Sequence, residues 1–524
     1  MKTVKLFTML ATLALFCAAA VPAQEKAPEK LGKVLFPTSC DAKVQPSFER
    51  AVALLHSFWW EEGEKAFREV LERDPSCAIA TWGIASILIG NTFGIGPSPK
   101  GAQKAKEAIE HGRVIGPKTE RERFYIEAVA EYYDRFSDRS PGARMKLLAS
   151  AFEIVAKRFP HDDEAQIFYA IYLTATQQPT DKSFSAALKA AQILEAQFVK
   201  NPEHPGVAHY LIHAYDYPPI ADKGLKAAKR YAEIAPSAPH ALHMPSHIFT
   251  RVGAWKESVA TNGGSAAIAK GDDRLHAMDY MVYAYLQLAR DKDAQNVVEE
   301  APRVPGPLAT RAGPYAMAAI PARYAIERSA WKEAMQLQPR STRLLYNEAM
   351  TYFARALGAA RSGDPVAAEK EIGELARIVA GLKAAKDDYW ATEVEVQRLG
   401  AAAWTAYAKG SREEALTLMR SAADLEDKGE KSAVTPGRII PARELLGEML
   451  LEMNRPAEAL QAFETSEKHD PNRFRGLYGA GKAAALAGDQ TKAKTYYEKL
   501  LVLAKNADTE RPELKEAKAL FVNK

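Results

Sequence analysis

Residues 442–471 read ARELLGEMLLEMNRPAEALQAFETSEKHDP. The apolar residues of this stretch recur every three or four positions on both sides of the break at Asn454-Arg455-Pro456. This spacing predicts two amphipathic helices, Ala442–Met453 and Ala457–Lys468, joined by a short turn. Asp470-Pro471 ends the second helix, because proline disfavours the helical conformation in the residue before it. The stretch is therefore a helical hairpin whose apolar face needs a neighbour.

The same hairpin pattern recurs along the chain. The next unit is Gly476–Ala487, a turn at Gly488-Asp489, and Thr491–Ala504, while Glu61–Pro75 is a second helix and its stop near the start. Strand signals are nearly absent. Since each helix pair leaves an apolar face uncovered, neighbouring pairs must stack on one another. The sequence predicts an all-α solenoid of roughly ten helix pairs.

Two features of the hairpins resemble a known family. Small residues (Ala457, Ala459 and Ala462) lie where two helices must approach closely, and Pro471 closes the unit. In these features residues 45–507 resemble the tetratricopeptide repeat (TPR) over most of their length. The resemblance implies a right-handed α-solenoid and a role in protein interaction.

The chain also resembles a group of exported bacterial TPR proteins. The shared residues include Leu55-His56-Ser57-Phe58-Trp59, Trp82-Gly83-Ile84-Ala85, His209-Tyr210 and His243-Met244-Pro245-Ser246-His247. This resemblance implies the fold and export, and it leaves the function open.

Breaks in the repeat pattern predict four segments. Residues 1–23 form a signal peptide, and residues 24–302 form an N-terminal TPR-like array with a histidine-rich groove. Residues 303–430 form an irregular helical region, because no clean unit is found over its first forty positions or so. Residues 431–524 form a C-terminal TPR pair and a capping helix.

The composition excludes several classes of protein. Apolar residues make up 47% and charged residues 26%, which is typical of a folded globular chain and not of a disordered or multi-span membrane protein. The net charge is only +4 and is spread along the sequence, so neither nucleic acid nor an anionic membrane is predicted as a partner.

The first residues are typical of a secretory signal peptide. Lys2 and Lys5 precede the apolar run Leu6–Val21, and small residues follow up to Ala23. The run is shorter than the roughly 20 residues that span a bilayer. We therefore expect an exported protein, periplasmic or secreted, with no integral membrane segment after cleavage. In an oxidising compartment the two remaining cysteines, Cys40 and Cys77, are expected to form a disulfide, the alternative being two buried thiols.

Histidines concentrate in one short part of the chain. Six of the 11 lie between residues 204 and 247. His209 and His243 are 34 residues apart, one repeat, and so are His213 and His247. Within each pair the spacing of four places both rings on one helix face. The resemblance to TPR arrays places these four residues on the concave groove, with Asp216, His240 and Thr250 beside them.

Two uses of this cluster are open from the sequence. The leading prediction is a concave groove, around residues 205–285, that binds a peptide or protein segment with the histidines as polar anchors. The alternative is a metal site for zinc or copper, formed by His209, His213, His243 and His247, with hydrolytic chemistry at an open position. A purely structural scaffold is the third interpretation.

No familiar catalytic motif is present. The sequence contains no phosphate-binding Gly-x-x-x-x-Gly-Lys loop, no nucleophile elbow and no Cys-x-x-Cys pair. The histidine pairs contain no glutamate of the His-Glu-x-x-His kind. We therefore expect a protein that is not an enzyme, with no catalytic residue assigned, a protein or peptide as partner, and no cofactor other than such a metal.

Overall fold

The computed structural model describes residues 29–522, apart from residues 307 and 309. The described residues form helices and connecting turns and contain no strand, which confirms the predicted all-α solenoid. No helix in this part of the chain has both the length and the apolar character needed to cross a membrane. The predicted signal peptide, residues 1–23, lies outside the described residues.

The N-terminal helices pack on one another largely in sequence order. They are α1 (Gln45–His56), α2 (Trp60–Arg73), α3 (Ile79–Ile87), α4 (Pro99–Ile115), α5 (Glu120–Tyr133), α6 (Pro141–Arg158), α7 (Asp163–Thr174) and α8 (Ser185–Lys200). The next helices carry the histidines. They are α9 (Pro205–Tyr215), α10 (Leu225–Ile234), α11 (Pro239–His243), α12 (Pro245–Arg251), α13 (Trp255–Ile268) and α14 (Gly271–Gln287).

The C-terminal helices include the longest of the chain. They are α15 (Asp291–Glu300), α16 (Ala312–Glu327), α17 (Trp331–Met335), α18 (Leu345–Arg361), α19 (Pro365–Ala384), α20 (Asp388–Ala408), α21 (Arg412–Glu426), α22 (Ala442–Glu452), α23 (Pro456–His469), α24 (Phe474–Leu486), α25 (Gln490–Leu503) and α26 (Pro512–Val522).

Proline and hydroxyl residues set several helix starts. Proline occupies the first position of α4 and α6, where its missing N–H costs nothing, and Ser98 and Ser140 cap these helices by accepting a bond from the backbone N–H three residues on. His204 caps α9 in the same way, with Nδ1 accepting from the Val207 N–H at 3.3 Å. The start of the first histidine helix is thus fixed by its own sequence.

The hydrophobic cores follow the chain in order. One core lies within residues 31–249 and another within residues 315–493. A third, within residues 266–320, contains residues on both sides of position 303. The segment boundaries at 303 and 431 remain predictions.

The C-terminal helices return to the middle of the chain. The Trp255 indole N–H donates to the Asn472 carbonyl at 2.7 Å, and the Phe474 N–H donates to the Gln287 side chain at 3.0 Å. The Arg473 guanidinium donates to the Tyr283 hydroxyl at 2.6 Å. These bonds join α13 and α14 to the start of α24, so the solenoid closes on itself.

The connection between α21 and α22 enters the space enclosed by this closure. We call it the covering segment, residues 427–441. The Lys182 ammonium donates to Gly429 O at 3.0 Å and to Glu430 at 2.8 Å, which ties the segment to the N-terminal helices. Arg323 of α16 donates to Thr435, Gly437 and Arg438 on its other side.

A disulfide fixes the extended segment that precedes α1. Cys40 and Cys77 are bonded, with Cα atoms 4.7 Å apart. Next to it, the Ser39 N–H and hydroxyl donate to the Glu122 carboxylate at 2.7 and 2.6 Å. Phe36 is fully buried among the first helices. The N-terminal segment is therefore part of the first core.

Candidate metal centre

The first histidine helix, α9, is buried on every side. All residues of α9 are buried, because α1, α7, α8, α10 and α12 surround it. His209 is 0% exposed and His213 is 5% exposed. Rings in such a place need polar partners, since a buried nitrogen without one costs roughly 1–3 kcal/mol.

Three imidazoles converge in the first cluster. His209 Nε2 lies 3.1 Å from His213 Nε2 and 3.1 Å from His240 Nε2. Three ligand atoms of these residues lie within 4.8 Å of one another. We call His209, His213 and His240 the first triad.

Three further imidazoles form a second cluster. His243 Nε2 lies 3.1 Å from His247 Nε2, and the His276 ring centroid is 4.4 Å from that of His243. These three also offer ligand atoms within 4.8 Å of one another. His276 Nδ1 is buried and has no hydrogen-bond partner among the described residues. We call His243, His247 and His276 the second triad.

The structure groups the predicted residues differently from a single four-histidine site. The helix pairs His209/His213 and His243/His247 enter separate triads, and each gains a third ring from the second α-helix farther along the chain. The third rings are His240 from α11 and His276 from α14. The sequence had placed His240 beside the predicted site.

Pro245 does not separate the second pair. It splits the helix into α11 and α12, with Met244 between them in helical conformation. The His247 N–H still donates to the Met244 carbonyl at 3.0 Å, so the chain continues to turn. His243 and His247 therefore keep the relation that a spacing of four requires.

Outer hydrogen bonds fix the proton positions on three rings. His209 Nδ1 lies 2.6 Å from the His56 carbonyl oxygen, and His247 Nδ1 lies 2.9 Å from the Asp216 carboxylate. His243 Nδ1 lies 2.7 Å from Asn262 Oδ1, and the amide nitrogen of Asn262 donates to the Ser258 carbonyl. These partners only accept, so each Nδ1 carries a proton and each neutral ring presents a bare Nε2.

Asp216 is an ionised group at the edge of the second triad. It accepts from His247, and from Arg251 Nε at 2.8 Å, and Lys431 Nζ lies 3.5 Å away. Burial alone would raise the pKa of Asp216, but Lys431, Arg251 and His247 outweigh it and hold that pKa well below its usual range.

Burial keeps the imidazoles neutral. It lowers the pKa of all six rings below the usual range of histidine, and Asp216 only partly offsets this effect for His247. Neutral imidazole is the form that binds transition metals.

Aromatic side chains wall the two triads. Phe58 stacks on His240 with centroids 5.2 Å apart, and Phe93 stacks on His213 at 4.2 Å. Tyr231 stacks on His209 at 5.1 Å, and Tyr280 on His247 at 5.2 Å. Phe93 belongs to the glycine-rich 90–97 loop, in which the sequence offered no sign of a site.

The covering segment packs beside the second triad. The Tyr280 hydroxyl donates to the Thr435 carbonyl at 3.2 Å, and the Lys431 side chain is 2% exposed beside Asp216. A peptide would reach the four histidines predicted as groove anchors only after this segment moved.

Thr250 belongs to neither triad. It is buried, and its hydroxyl lies 3.3 Å from that of Ser258 within the same helical hairpin. On α14, the Asp279 carboxylate accepts a hydrogen bond from Arg323 at 2.8 Å, and the Tyr283 hydroxyl accepts one from Arg473 at 2.6 Å. These residues join helices together and do not line the histidine cluster.

A third close group, His56, Glu164 and His204, is already saturated with hydrogen bonds. Both rings place Nε2 2.8 Å from the Glu164 carboxylate. His56 Nδ1 lies 2.9 Å from the Tyr210 hydroxyl, and His204 Nδ1 caps α9. Every ring nitrogen has a complementary partner, so this group is a structural network.

The comparisons with known proteins find a repeat family in the C-terminal part of the chain. A family model described as a tetratricopeptide repeat matches residues 445–508. No curated protein matches the chain. Similar solved structures include yeast Tom70, with 13% identity, 92% of this chain and 96% of that chain covered, and a TM-score of 0.29. A human IFIT1 dimer with PPP-AAAA has 12% identity, coverage of 87% and 89%, and a TM-score of 0.38.

A third similar structure is Naa15/Naa10 bound to HypK-THB, with 15% identity, coverage of 91% of this chain and 71% of that chain, and a TM-score of 0.23. The family match covers the hairpins from α22 to α25, and helices pair throughout the described residues. The described helices therefore form an α-solenoid, of which residues 445–508 match the tetratricopeptide repeat.

Proposed function

We propose that this protein binds a transition-metal ion, zinc or copper, through its histidine triads. One observation carries the proposal: two bare nitrogens, Nε2 of His243 and Nε2 of His247, face each other at 3.1 Å. Both rings have their proton on Nδ1, held by Asn262 and by Asp216. Two lone pairs at this distance repel unless a cation lies between them.

Other ways of relieving this repulsion are less favourable. Protonating one ring would supply a proton for the contact, but burial lowers the pKa of both rings. The Tyr280 hydroxyl lies 3.3 Å from His247 Nε2, but its single proton already has the Thr435 carbonyl as acceptor. A metal ion satisfies both nitrogens at once.

The spacing of the nitrogens fits coordination. Zinc–nitrogen bonds of about 2.0–2.1 Å in a tetrahedral site place two ligand nitrogens roughly 3.3 Å apart. The close nitrogen pairs of both triads lie at 3.1 Å. Three imidazoles would leave a fourth position for water or another ligand, and a bound metal there would act as a Lewis acid.

The residues that orient the ligands are also of the expected kind. Metal-binding histidines usually donate their other ring N–H to a carboxylate or a carbonyl oxygen. Asp216, the His56 carbonyl and the Asn262 amide oxygen fill this role. They hold the rings in place without a metal, so a metal would meet a preformed site.

The repeat scaffold itself supports a protein-interaction role. A partner peptide would meet the outer helix surfaces, because the covering segment lies over the rings. The leader-like first residues and the Cys40–Cys77 pair support the proposal that the protein works outside the cytoplasm.

Metal analysis of protein purified without a histidine tag tests the proposal. We expect zinc or copper in stoichiometric amount in the wild type and its loss when His209→Ala and His243→Ala are combined. The matched control combines His111→Ala and His161→Ala, two exposed histidines outside the triads, and should keep the metal. Wild-type protein that contains no metal and is not stabilised by added zinc or copper would contradict the proposal.

A further inference from the structure

We infer that the two triads hold two metal ions in one bridged dinuclear centre. The inference rests on the proposed function and adds the number of ions, the six ligands and the kind of molecule bound between them. Its first support is the proximity of the triads. His213 and His247 have ring centroids 5.9 Å apart, and so do His240 and His243.

Most ring centroids within a triad are 4.4–5.0 Å apart, so the rings of the two triads are only about 1 Å farther from one another than rings of the same triad. His247 and His276, both in the second triad, have centroids 6.3 Å apart. The six rings therefore share one space, with no helix or side chain layer between the two clusters.

The second support is the equivalence of the two triads. Each contains a pair spaced by four residues, and the pairs are one 34-residue repeat apart. Each is completed by a partly exposed histidine from the second α-helix farther along the chain, His240 or His276. Stacked repeats present equivalent residues side by side. Chemistry that lets one triad bind an ion therefore applies to the other.

The third support is the small space that the surrounding aromatic side chains leave for the fourth ligand of each ion. Neither triad contains a carboxylate ligand, and Phe58, Phe93, Tyr231 and Tyr280 stack on the rings from outside. The fourth ligand of each ion must therefore be small. Two cations in a buried space repel strongly, and an anionic oxygen shared between them reduces that repulsion.

The electrostatic surroundings also favour such an anion. Asp216 is the carboxylate next to the second triad, and it already faces Arg251 and Lys431. Its charge is thus largely compensated before any metal binds. A hydroxide, or the oxygen of a small anion, in the bridging position would supply the missing negative charge. Two-metal sites of this kind hold their ions about 3.5–4 Å apart.

Copper(II) is the probe that tests this inference, because each ion carries one unpaired electron. Metal-free full-length protein is loaded with copper(II), and bound copper is compared with the intensity of its electron paramagnetic resonance signal. We expect two copper ions per chain with a signal that accounts for only a small fraction of them, because a bridging oxygen couples the two spins.

Variants of His240 and His276, the third ligand of each triad, test the two metal ions one at a time. His276→Gln should leave one copper per chain in the first triad with full signal, and His240→Gln should leave one in the second triad with full signal. Both residues are partly exposed, so these substitutions disturb packing less than changes at His209 would. The control His111→Ala should keep two ions and the weak signal.

The outcomes distinguish this inference from the proposed function. One copper per wild-type chain overturns the dinuclear centre and leaves metal binding intact. Two ions with full signal intensity overturn the bridge, since uncoupled ions do not lose their signal. Wild-type protein that takes up no copper or zinc overturns both.

Discussion

At the scale of single residues, Asp216 is surrounded by two hydrogen-bond donors and one further cation at the edge of the second triad. It accepts from the His247 imidazole and the Arg251 guanidinium, and the Lys431 ammonium lies 3.5 Å away. The Lys431 ammonium makes no hydrogen bond within the described residues. A buried ammonium without a close acceptor is costly. Burial, with Arg251 nearby, lowers the pKa of Lys431 to about 8 although Asp216 acts in the opposite direction.

This lysine should lower stability at neutral pH. A shift from 10.5 to about 8 corresponds to roughly 3 kcal/mol. Because the folded-state pKa lies below the unfolded value, the cost is complete below pH 8 and disappears as pH rises to about 10.5. Lys431→Met should therefore raise the unfolding midpoint in urea at pH 7 and change it less at pH 10. The exposed Lys428→Met is the control, and an equal effect of Lys431→Met at both pH values would contradict the argument.

At the scale of elements, periodicity was enough to find the hairpins. The helices predicted at Ala442–Met453 and Ala457–Lys468 correspond to α22 and α23, with ends that differ by one residue. Their apolar faces are buried by neighbouring pairs, so local pattern and tertiary packing agree. The spacings of 34 and four also predicted which histidines would cluster, because stacked repeats bring residues one repeat apart in sequence close together in the structure.

The grouping of the rings could not be predicted from spacing alone. His276 joins the second triad because α14 packs against α11, which is a tertiary contact. Asn262 reaches His243 from α13 for the same reason. The covering segment begins at residue 427, 140 positions after α14 ends at Gln287, and no local pattern relates it to these helices. Residues that orient a site from distant elements leave little trace in a single sequence.

The extended segment before α1 depends on its disulfide. The bridge joins residues 37 positions apart, and a loop of this length is stabilised by roughly 2–4 kcal/mol when closed. Cys40→Ala combined with Cys77→Ala should therefore lower the thermal unfolding midpoint, and reductant should lower the midpoint of the wild type towards that of the variant. A midpoint unaffected by both changes would show that the hydrogen bonds of Ser39 and the burial of Phe36 suffice.

At the scale of the whole molecule, closure of the solenoid depends on buried charges. Arg473 is fully buried and pairs with Glu444 at 2.7 Å and with Glu327, while donating to Tyr283. These partners lie on α22, α16 and α14, so one side chain joins the C-terminal hairpins to the middle of the chain. Arg323 does the same for the covering segment, through Asp279 and the carbonyls of Gly437 and Arg438.

Removing Arg473 should open this closure. Arg473→Met leaves Glu327 and Glu444 buried without their cation, and the loss of one partner of a buried pair costs about 3–5 kcal/mol. We expect a lower unfolding midpoint and faster proteolysis within residues 427–441, because the covering segment is held by the closed form. Adding Glu444→Gln should restore part of the stability. Arg420→Met, which breaks an exposed pair with Glu458, should cost less than about 1 kcal/mol. If the two arginine variants were equally stable and equally resistant to protease, the closure would depend on apolar packing instead.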